Sequence, residues 1–353
     1  MGAKNQFGHH HSLRKILFIG HGGTGSNALS LYKGFSKEVN QTFFINTEYF
    51  DSPGKYTIRR VILRFLPNLY GYVASRILGF RIIMSYRKYE PESIFVFKGN
   101  FISAKTLAHI SVPKIHYHPD DSSNPDNRTS TFDLAEKSYD LHFTSKNHNL
   151  QEIADRTGKP VHFIWYAYDP DWHFKSLDFD FINRKYRLGF IGNFRPSRAS
   201  LMSKLANLYG KDFAIAGVRW HHINRFKHSA NLLGPIYESS YSNFITSAPV
   251  QLGILNSENR DTHTARTFEI PASGGLLIAE DTIEHRLLFE KENGALFFRS
   301  EAQIVELINW IENNPYEAEI IALNGHRVIT SGKNTWQDRA KIILDICRGT
   351  FDY

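Results

Sequence analysis

Short runs of consecutive apolar residues recur along this 353-residue chain. Polar, glycine-bearing turns separate them, together with stretches in which apolar residues return every three or four positions. Lys15 to Gly20 (KILFIG), Thr42 to Asn46, Ser93 to Phe97 (SIFVF), Lys114 to Tyr117, Asp140 to Thr144 and Val161 to Trp165 have the length and apolarity of buried strands. A second series comprises Tyr186 to Ile191, Phe213 to Gly217, Val250 to Leu255 and Leu276 to Glu280. Helical spacing lies between the runs: ALSLYKGF after the first strand, Asn149 to Thr157, Ser200 to Tyr209, and an amphipathic Asn334 to Cys347. Strands alternating with helices predict parallel sheets covered on both faces.

Residues 57–86 read as two helices separated by Pro67, with Leu69, Val73, Ile77, Phe80 and Ile83 on one apolar face. The simplest expectation is a packed helix pair with a solvated basic edge. A sharper one is a surface for anionic lipid headgroups or an acidic glycan, because Lys55 to Tyr89 holds eight basic residues and no acid. Those are Lys55, Arg59, Arg60, Arg64, Arg76, Arg81, Arg87 and Lys88. They account for the whole net charge of +7, so the basicity is local. The same charge suits nucleic acid, but no nucleic-acid motif accompanies it.

Two strand-to-helix turns carry candidate ligand chemistry. Gly20 to Gly25 formally matches G-x-G-x-x-G, with Glu48 downstream where a dinucleotide site places its acid. Glycines also suit any tight turn beside a ligand. The other turn, Gly192 to Arg198, joins two arginines to a helix start. Guanidinium forks match phosphate oxygens. Behind a third strand, His118, Asp120 and Asp121 occupy the carboxyl end of a parallel sheet. There His118 or Asp120 could act as a general base, or the aspartates could merely cap loop amides. His116, His118, Asp120 and Asp121 could be combined as metal ligands, but none is assigned as one.

The most concentrated signal is Arg266-Thr267-Phe268-Glu269-Ile270-Pro271-Ala272-Ser273-Gly274-Gly275, a short helix closed by two glycines before a buried strand. Its polar approach, residues 256–264, predicts free amides at the helix start, and Arg266 and Thr267 add donors in the same turn. Glu269 behind them can accept from a ribose diol, or it can cap a neighbouring loop.

Length points to two domains, and 42% hydrophobic content with 27 Phe and 17 Tyr can fill two cores. The single Cys347 excludes an intrachain disulfide and fits a reducing compartment. Residues 1–12 are polar with a Gly-His-His-His run and read as a flexible leader, not a signal peptide, and no run approaches a membrane span. A cytoplasmic location, with peripheral attachment to the inner membrane face as an option, is the corresponding expectation.

RTFEIPASGGLLIAED, then Leu288-Phe289-Glu290 and the helical tail through Trp336 and Arg339, resembles the C-terminal half of the CgeB-like (spore maturation protein type) glycosyltransferases, the similarity running from about residue 90 to 345. That resemblance implies an α/β GT-B architecture: two Rossmann-like domains facing each other across a cleft, with a C-terminal helix crossing back to the N-terminal domain. The expected layout is an acceptor-side domain over 13–170, a nucleotide-sugar donor domain over 171–335, and the crossover helix over 336–353. It implies transfer of a sugar from a nucleotide-diphosphate sugar to the hydroxyl of a glycan, lipid-linked or other acceptor, with no metal or other cofactor. Glu269 takes the place of the second Glu of the family's E-x7-E pattern, while Asp261 stands where the first belongs. On this reading Arg195, Arg198, Arg266 and Thr267 neutralise the diphosphate, Glu269 binds the ribose, and Gly192, Asn193 and Gly274 shape the backbone. Gly22, Gly23, Lys98, His118 and Asp120 lie on the acceptor side. The competing readings are a NAD- or FAD-dependent oxidoreductase using the 20–25 loop, and a non-catalytic sugar-nucleotide-binding protein.

Overall fold

The structure is a computed structural model describing residues 13–51, 61–62, 65–222, 226 and 229–351. The leader and Lys55, Arg59, Arg60 and Arg64 lie outside the described residues. The chain divides into two compact units, Met1–Trp165 with Gln337–Tyr353, and Tyr166–Trp336.

The first unit is built on a parallel sheet of six strands: β1 (Lys15–Gly20), β2 (Gln41–Asn46), β3 (Ser93–Phe97), β4 (Lys114–His118), β5 (Leu141–Thr144) and β6 (Val161–Phe163). Their order is β2-β1-β3-β4-β5-β6. The chain leaves β1 to one side for β2 and returns to the other side for β3, so the winding reverses between β1 and β3. Helix α1 (Asn27–Glu38) follows β1; Ser26 caps it by accepting from the Ala28 amide at 3.2 Å. The last helix, Trp336–Thr350, joins this unit from Gln337 onward. Gln337 donates to Glu38 at 2.5 Å, and the Arg339 Nε donates to the Trp165 carbonyl at 3.0 Å.

Helix α2 (Pro67–Tyr89) overturns the expected packing. Pro67 is its first residue, where a missing N–H costs nothing. The face turned into the core carries Tyr70, Ala74, Leu78 and Ile82. The face read as packed is the exposed one, with Leu69, Val73, Ile77 and Phe80 all open to solvent. The helix carries apolar residues on two faces, so periodicity finds two candidates, and the face that also holds Ala74, Ser75 and Gly79 is the buried one.

The second unit repeats the plan with β7 (Leu188–Ile191), β8 (Phe213–Ala216), β9 (Asn231–Gly234), β10 (Val250–Gly253), β11 (Leu276–Glu280) and β12 (Leu296–Phe298), ordered β12-β11-β10-β7-β8-β9 and all parallel. Its helices include α3 (Ala199–Tyr209), α4 (Ser239–Ser247), α5 (Arg266–Ala272), α6 (Ile283–Phe289), α7 (Glu301–Asn313) and α8 (Pro315–Ser331). Phe190, Trp220, Ile278, Ile304 and Ile308 belong to one buried core. Here too β7 is the turning point, with β8 on one flank and β10 on the other. Ligands of open α/β sheets bind beyond the carboxyl ends of the strands at such a reversal.

Candidate functional site

In the second unit the reversal gathers most of the sequence candidates. The loop after β7 carries Gly192, Asn193, Arg195 and Arg198, and the chain after β10 leads through residues 254–265 into α5 with Arg266, Thr267 and Glu269. Gly217, at the end of β8, has φ +149°, and a Cβ there would stand 2.0 Å from the Gly192 carbonyl oxygen. Only glycine lets these two loops approach so closely. The Gly192 amide donates to the Ala216 carbonyl at 2.9 Å, and its own carbonyl accepts from the buried Trp220 Nε1 at 2.7 Å. Asn193 Oδ1 accepts from the Val218 amide at 3.2 Å. These contacts hold the glycine turn open under the arginines.

Arg266 joins the two halves of this site. Its Nε donates to the Ile191 carbonyl at 3.3 Å, and its Nη1 pairs with Glu269 Oε2 one helical turn away. Burial opposes its charge, but Glu269 outweighs that and drives its pKa above the usual arginine value. Arg198 stacks over Phe190 at 5.4 Å and donates one Nη2 hydrogen to the Leu255 carbonyl at 3.3 Å. Its Nε is buried with no hydrogen-bond partner among the described residues. Burial, and then the charge of Arg195, lower its pKa. Arg195 itself is half exposed and pairs with Glu258 at 3.4 Å. Three guanidinium groups therefore meet at the mouth of β7, and one holds an unsatisfied buried donor.

Glu269 is 4% exposed. Its Oε1 stands 3.8 Å from His173 Nε2. The Asp169 amide donates to His173 Nδ1 at 3.0 Å, which puts the ring's own hydrogen on Nε2, facing the carboxylate. Burial lowers the His173 pKa and favours this neutral form. Tyr241 on α4 closes the cluster, its ring 4.6 Å from His173 and 5.6 Å from the Arg266 guanidinium. Burial and the Glu269 charge raise its phenol pKa well above the usual value. Neither His173 nor Tyr241 is among the residues that the sequence singles out. The Asp-Pro-Asp-Trp-His turn was the only local signal for the first.

Four expectations change. Two amides at the start of α5 are already spent: those of Thr267 and Phe268 donate to the Thr264 and Ala265 carbonyls at 3.1 and 3.0 Å. Side chains therefore carry more of this turn's capacity for an anion than expected. Thr267 is buried, and its hydroxyl points inward. His285 Nδ1 donates to the Glu280 carbonyl at 2.7 Å, so its Nε2 accepts from Thr267 Oγ1 at 3.0 Å. Gly274, at φ +87°, packs against Lys175 and Phe179, where a Cβ would stand 3.0 and 3.3 Å from them. It serves the helix exit. Asp261, in the place of the family's first acid, accepts from the Asn256 amide at 3.3 Å and shapes the loop.

In the first unit, Gly22, Gly23, Lys98, His118 and Asp120 all lie at or just beyond the carboxyl ends of β1, β3 or β4. The Gly22 and Glu48 amides both donate to Asn46 Oδ1 at 2.8 Å, and the Gly23 amide to His21 Nδ1 at 3.1 Å. A pyrophosphate cradle needs such amides unspent, so the 20–25 loop is poorly suited to a dinucleotide. Lys98 Nζ and Asp120 Oδ2 pair at 2.8 Å. Burial raises the Asp120 pKa, but Lys98 and His118 more than offset this and hold it below the ordinary value. His118 is fully buried, donates from Nδ1 to the Asp120 carbonyl at 2.9 Å, and has its pKa pushed down to about 4 by burial. Burial removes it from contact with any acceptor, which counts against a role as base. Among the described residues no group of three or more His, Cys, Asp or Glu is placed to hold a metal ion.

Residues 195–345 match the family model described as glycosyl transferase-like. No curated protein matches. Among solved structures, HepE of Anabaena in complex with UDP and glucose is similar at a TM-score of 0.63 and 12% identity, covering 95% of this chain and 100% of that one. Sucrose-phosphate synthase of Thermosynechococcus elongatus gives 0.64 at 11% identity, with 95% and 99% covered. The BGT of phage T4 in complex with its UDP-glucose substrate gives 0.56 at 13%, with 96% and 100% covered. Two Rossmann-like units of this topology give the chain the GT-B fold, and most of the second unit lies within its match to the glycosyl transferase-like family model.

Proposed function

We propose that the second unit binds a nucleoside-diphosphate sugar and that the chain transfers the sugar to an acceptor hydroxyl without a metal ion, as a CgeB-like enzyme. The observation carrying this reading is the arginine cluster at the β7 reversal, above all the buried, unsatisfied Nε of Arg198. A buried charged donor without a partner is costly, and a diphosphate oxygen supplies the missing acceptor. Arg195, Arg198 and Arg266 take the diphosphate, and Glu269 accepts from the ribose hydroxyls with His173 and Tyr241 as its walls. UDP is the first nucleotide to test, because HepE and the phage enzyme were solved with UDP or UDP-glucose.

In the reaction the acceptor oxygen bonds to the anomeric carbon as the bond from that carbon to the phosphate oxygen breaks. The leaving diphosphate keeps the electron pair, and the arginines stabilise the growing charge. Asp120, ionised beside Lys98, is the first-unit group we propose to test as the acceptor's proton partner. Gly22, Gly23 and Lys98 remain proposed acceptor-side positions, and a glycan or lipid-linked hydroxyl the acceptor class.

Purified chain incubated with UDP-sugars should release UDP, with or without EDTA. Release abolished by EDTA and restored by a divalent ion would refute the metal-independent reading. UDP binding without any release, across acceptors, would favour the non-catalytic one.

A further inference from the structure

Helix α2 presents a solvent-facing apolar stripe that the transferase chemistry does not use. Leu69, Val73, Ile77, Phe80 and Met84 fall within about a third of the helix circumference at 100° per residue, and each is 45–66% exposed. Tyr72, 63% exposed, lies at one margin of the stripe. Cations frame it: Arg76 on that side, Arg81 and Lys88 along the other, and Arg87 in line at the far end. No carboxylate occurs anywhere from Pro67 to Tyr89. A cavity of about 640 Å³ opens beside the N-terminal half of the helix, sharing Tyr72 and Arg76 with the stripe. Lys105, Ser103 and Thr131 are among its polar lining residues, and Leu134, 78% exposed, is on its wall.

We propose that α2 docks the chain on a membrane surface rich in anionic phospholipid. The apolar stripe enters the acyl boundary, Arg76, Arg81, Arg87 and Lys88 meet headgroup phosphates, and the cavity seats one headgroup between Arg76 and Lys105. Charge selects this occupant over a second copy of the chain. A two-fold interface brings the same patch against itself, and here that opposes four cations to four cations with no carboxylate between. The helix lies along the surface and does not cross it, because no described helix is long and apolar enough to span a membrane.

The test is co-sedimentation of the full chain at low salt with vesicles of phosphatidylcholine alone or mixed with phosphatidylglycerol. The variants are Ile77→Ser with Phe80→Ser, and Arg76→Glu with Arg81→Glu. All of these side chains are exposed, so the fold should persist, and UDP binding measured in parallel reports independently on the second unit. The wild type should prefer the anionic vesicles, and reversing two cations should weaken that binding by at least about thirtyfold. The apolar pair should abolish it. Equal binding to both vesicle types, no binding, or binding indifferent to either pair would overturn the proposal. So would a concentration-dependent dimer that the Phe80→Ser pair dissolves without any vesicle binding.

Discussion

Replacing Glu269 by alanine separates the structural from the ligand-binding consequences of the Arg266–Glu269 pair. Breaking a buried ion pair by deleting one partner costs about 3–5 kcal/mol. Here the Arg266 side chain is 36% exposed, so water screens the stranded charge and about 1–2 kcal/mol is the better expectation. For a unit of this size that corresponds to a fall in Tm of roughly 2–8 °C, well short of unfolding at room temperature. Binding should suffer more. A carboxylate accepting from two ribose hydroxyls contributes about 1.5–3 kcal/mol per hydrogen bond, and replacing both contacts by water forfeits at least about 2 kcal/mol in total. That is about thirtyfold in Kd for UDP. Calorimetric titration with UDP and thermal unfolding with and without UDP measure the two effects separately. Glu269→Gln keeps the volume and one acceptor oxygen, so it should lower Tm less than alanine does. A folded Glu269→Ala protein that binds UDP as tightly as the wild type would remove Glu269 from the site and sink the ribose assignment.

Two further outcomes follow from the geometry. Gly217→Val should destabilise the second unit by several degrees in Tm, since its Cβ would meet the Gly192 oxygen at 2.0 Å and its φ of +149° disfavours a β-branched residue; a Tm within a degree of wild type would contradict the stated packing. In the first unit, His118 and His142 have their pKa values pushed from 6.5 to about 4 by burial, and that of His116 is lowered too, by burial and then His142. Because the unfolded chain binds these protons more readily, stability is full above pH 6.5 and is lost as pH falls toward 4. Urea midpoints at pH 7 and pH 5 should show the drop, and His142→Asn should flatten it.

Much of the fold was legible because continuous apolar runs bounded by glycine turns have few alternatives to buried parallel strands. The strands from β1 to β6 follow the predicted runs to within a few residues. What escaped had weak local signals. β9 and β12 are four and three residues long, too short for any period to register. Helix α7 did carry a signal: Ser300 caps it by accepting from the Gln303 amide, and Ile304, Ile308 and Ile311 recur at helical spacing. The arginines and Glu269 could be picked out because their chemistry is local to a turn. His173 and Tyr241 could not, since their value comes from meeting a carboxylate far along the chain. The same limit applies to α2, where periodicity gave two apolar faces and only the sheet decides which one is covered.

The two units bury polar groups in different ways, and the difference supports the proposed donor site. In the first unit His116 Nε2 donates to the Lys98 carbonyl at 3.0 Å, so its Nδ1 accepts the His142 Nδ1 hydrogen at 3.2 Å. That chain ends on the bare His142 Nε2. A neutral acceptor nitrogen left over at the end of such a relay costs little beyond its own desolvation, and Tyr139 stacks on His116 at 4.6 Å to fill the space. Nothing there calls for a charged guest. At the β7 reversal the leftover group is a hydrogen on a guanidinium, beside two more guanidiniums and one buried carboxylate. A cation can neither shed its charge by retautomerising nor be satisfied by an apolar neighbour, so its cost persists until an anion arrives. The first arrangement is what a core does with histidines. The second is an arrangement that a phosphate oxygen would complete, and this asymmetry supports the proposed placing of the donor in the second unit.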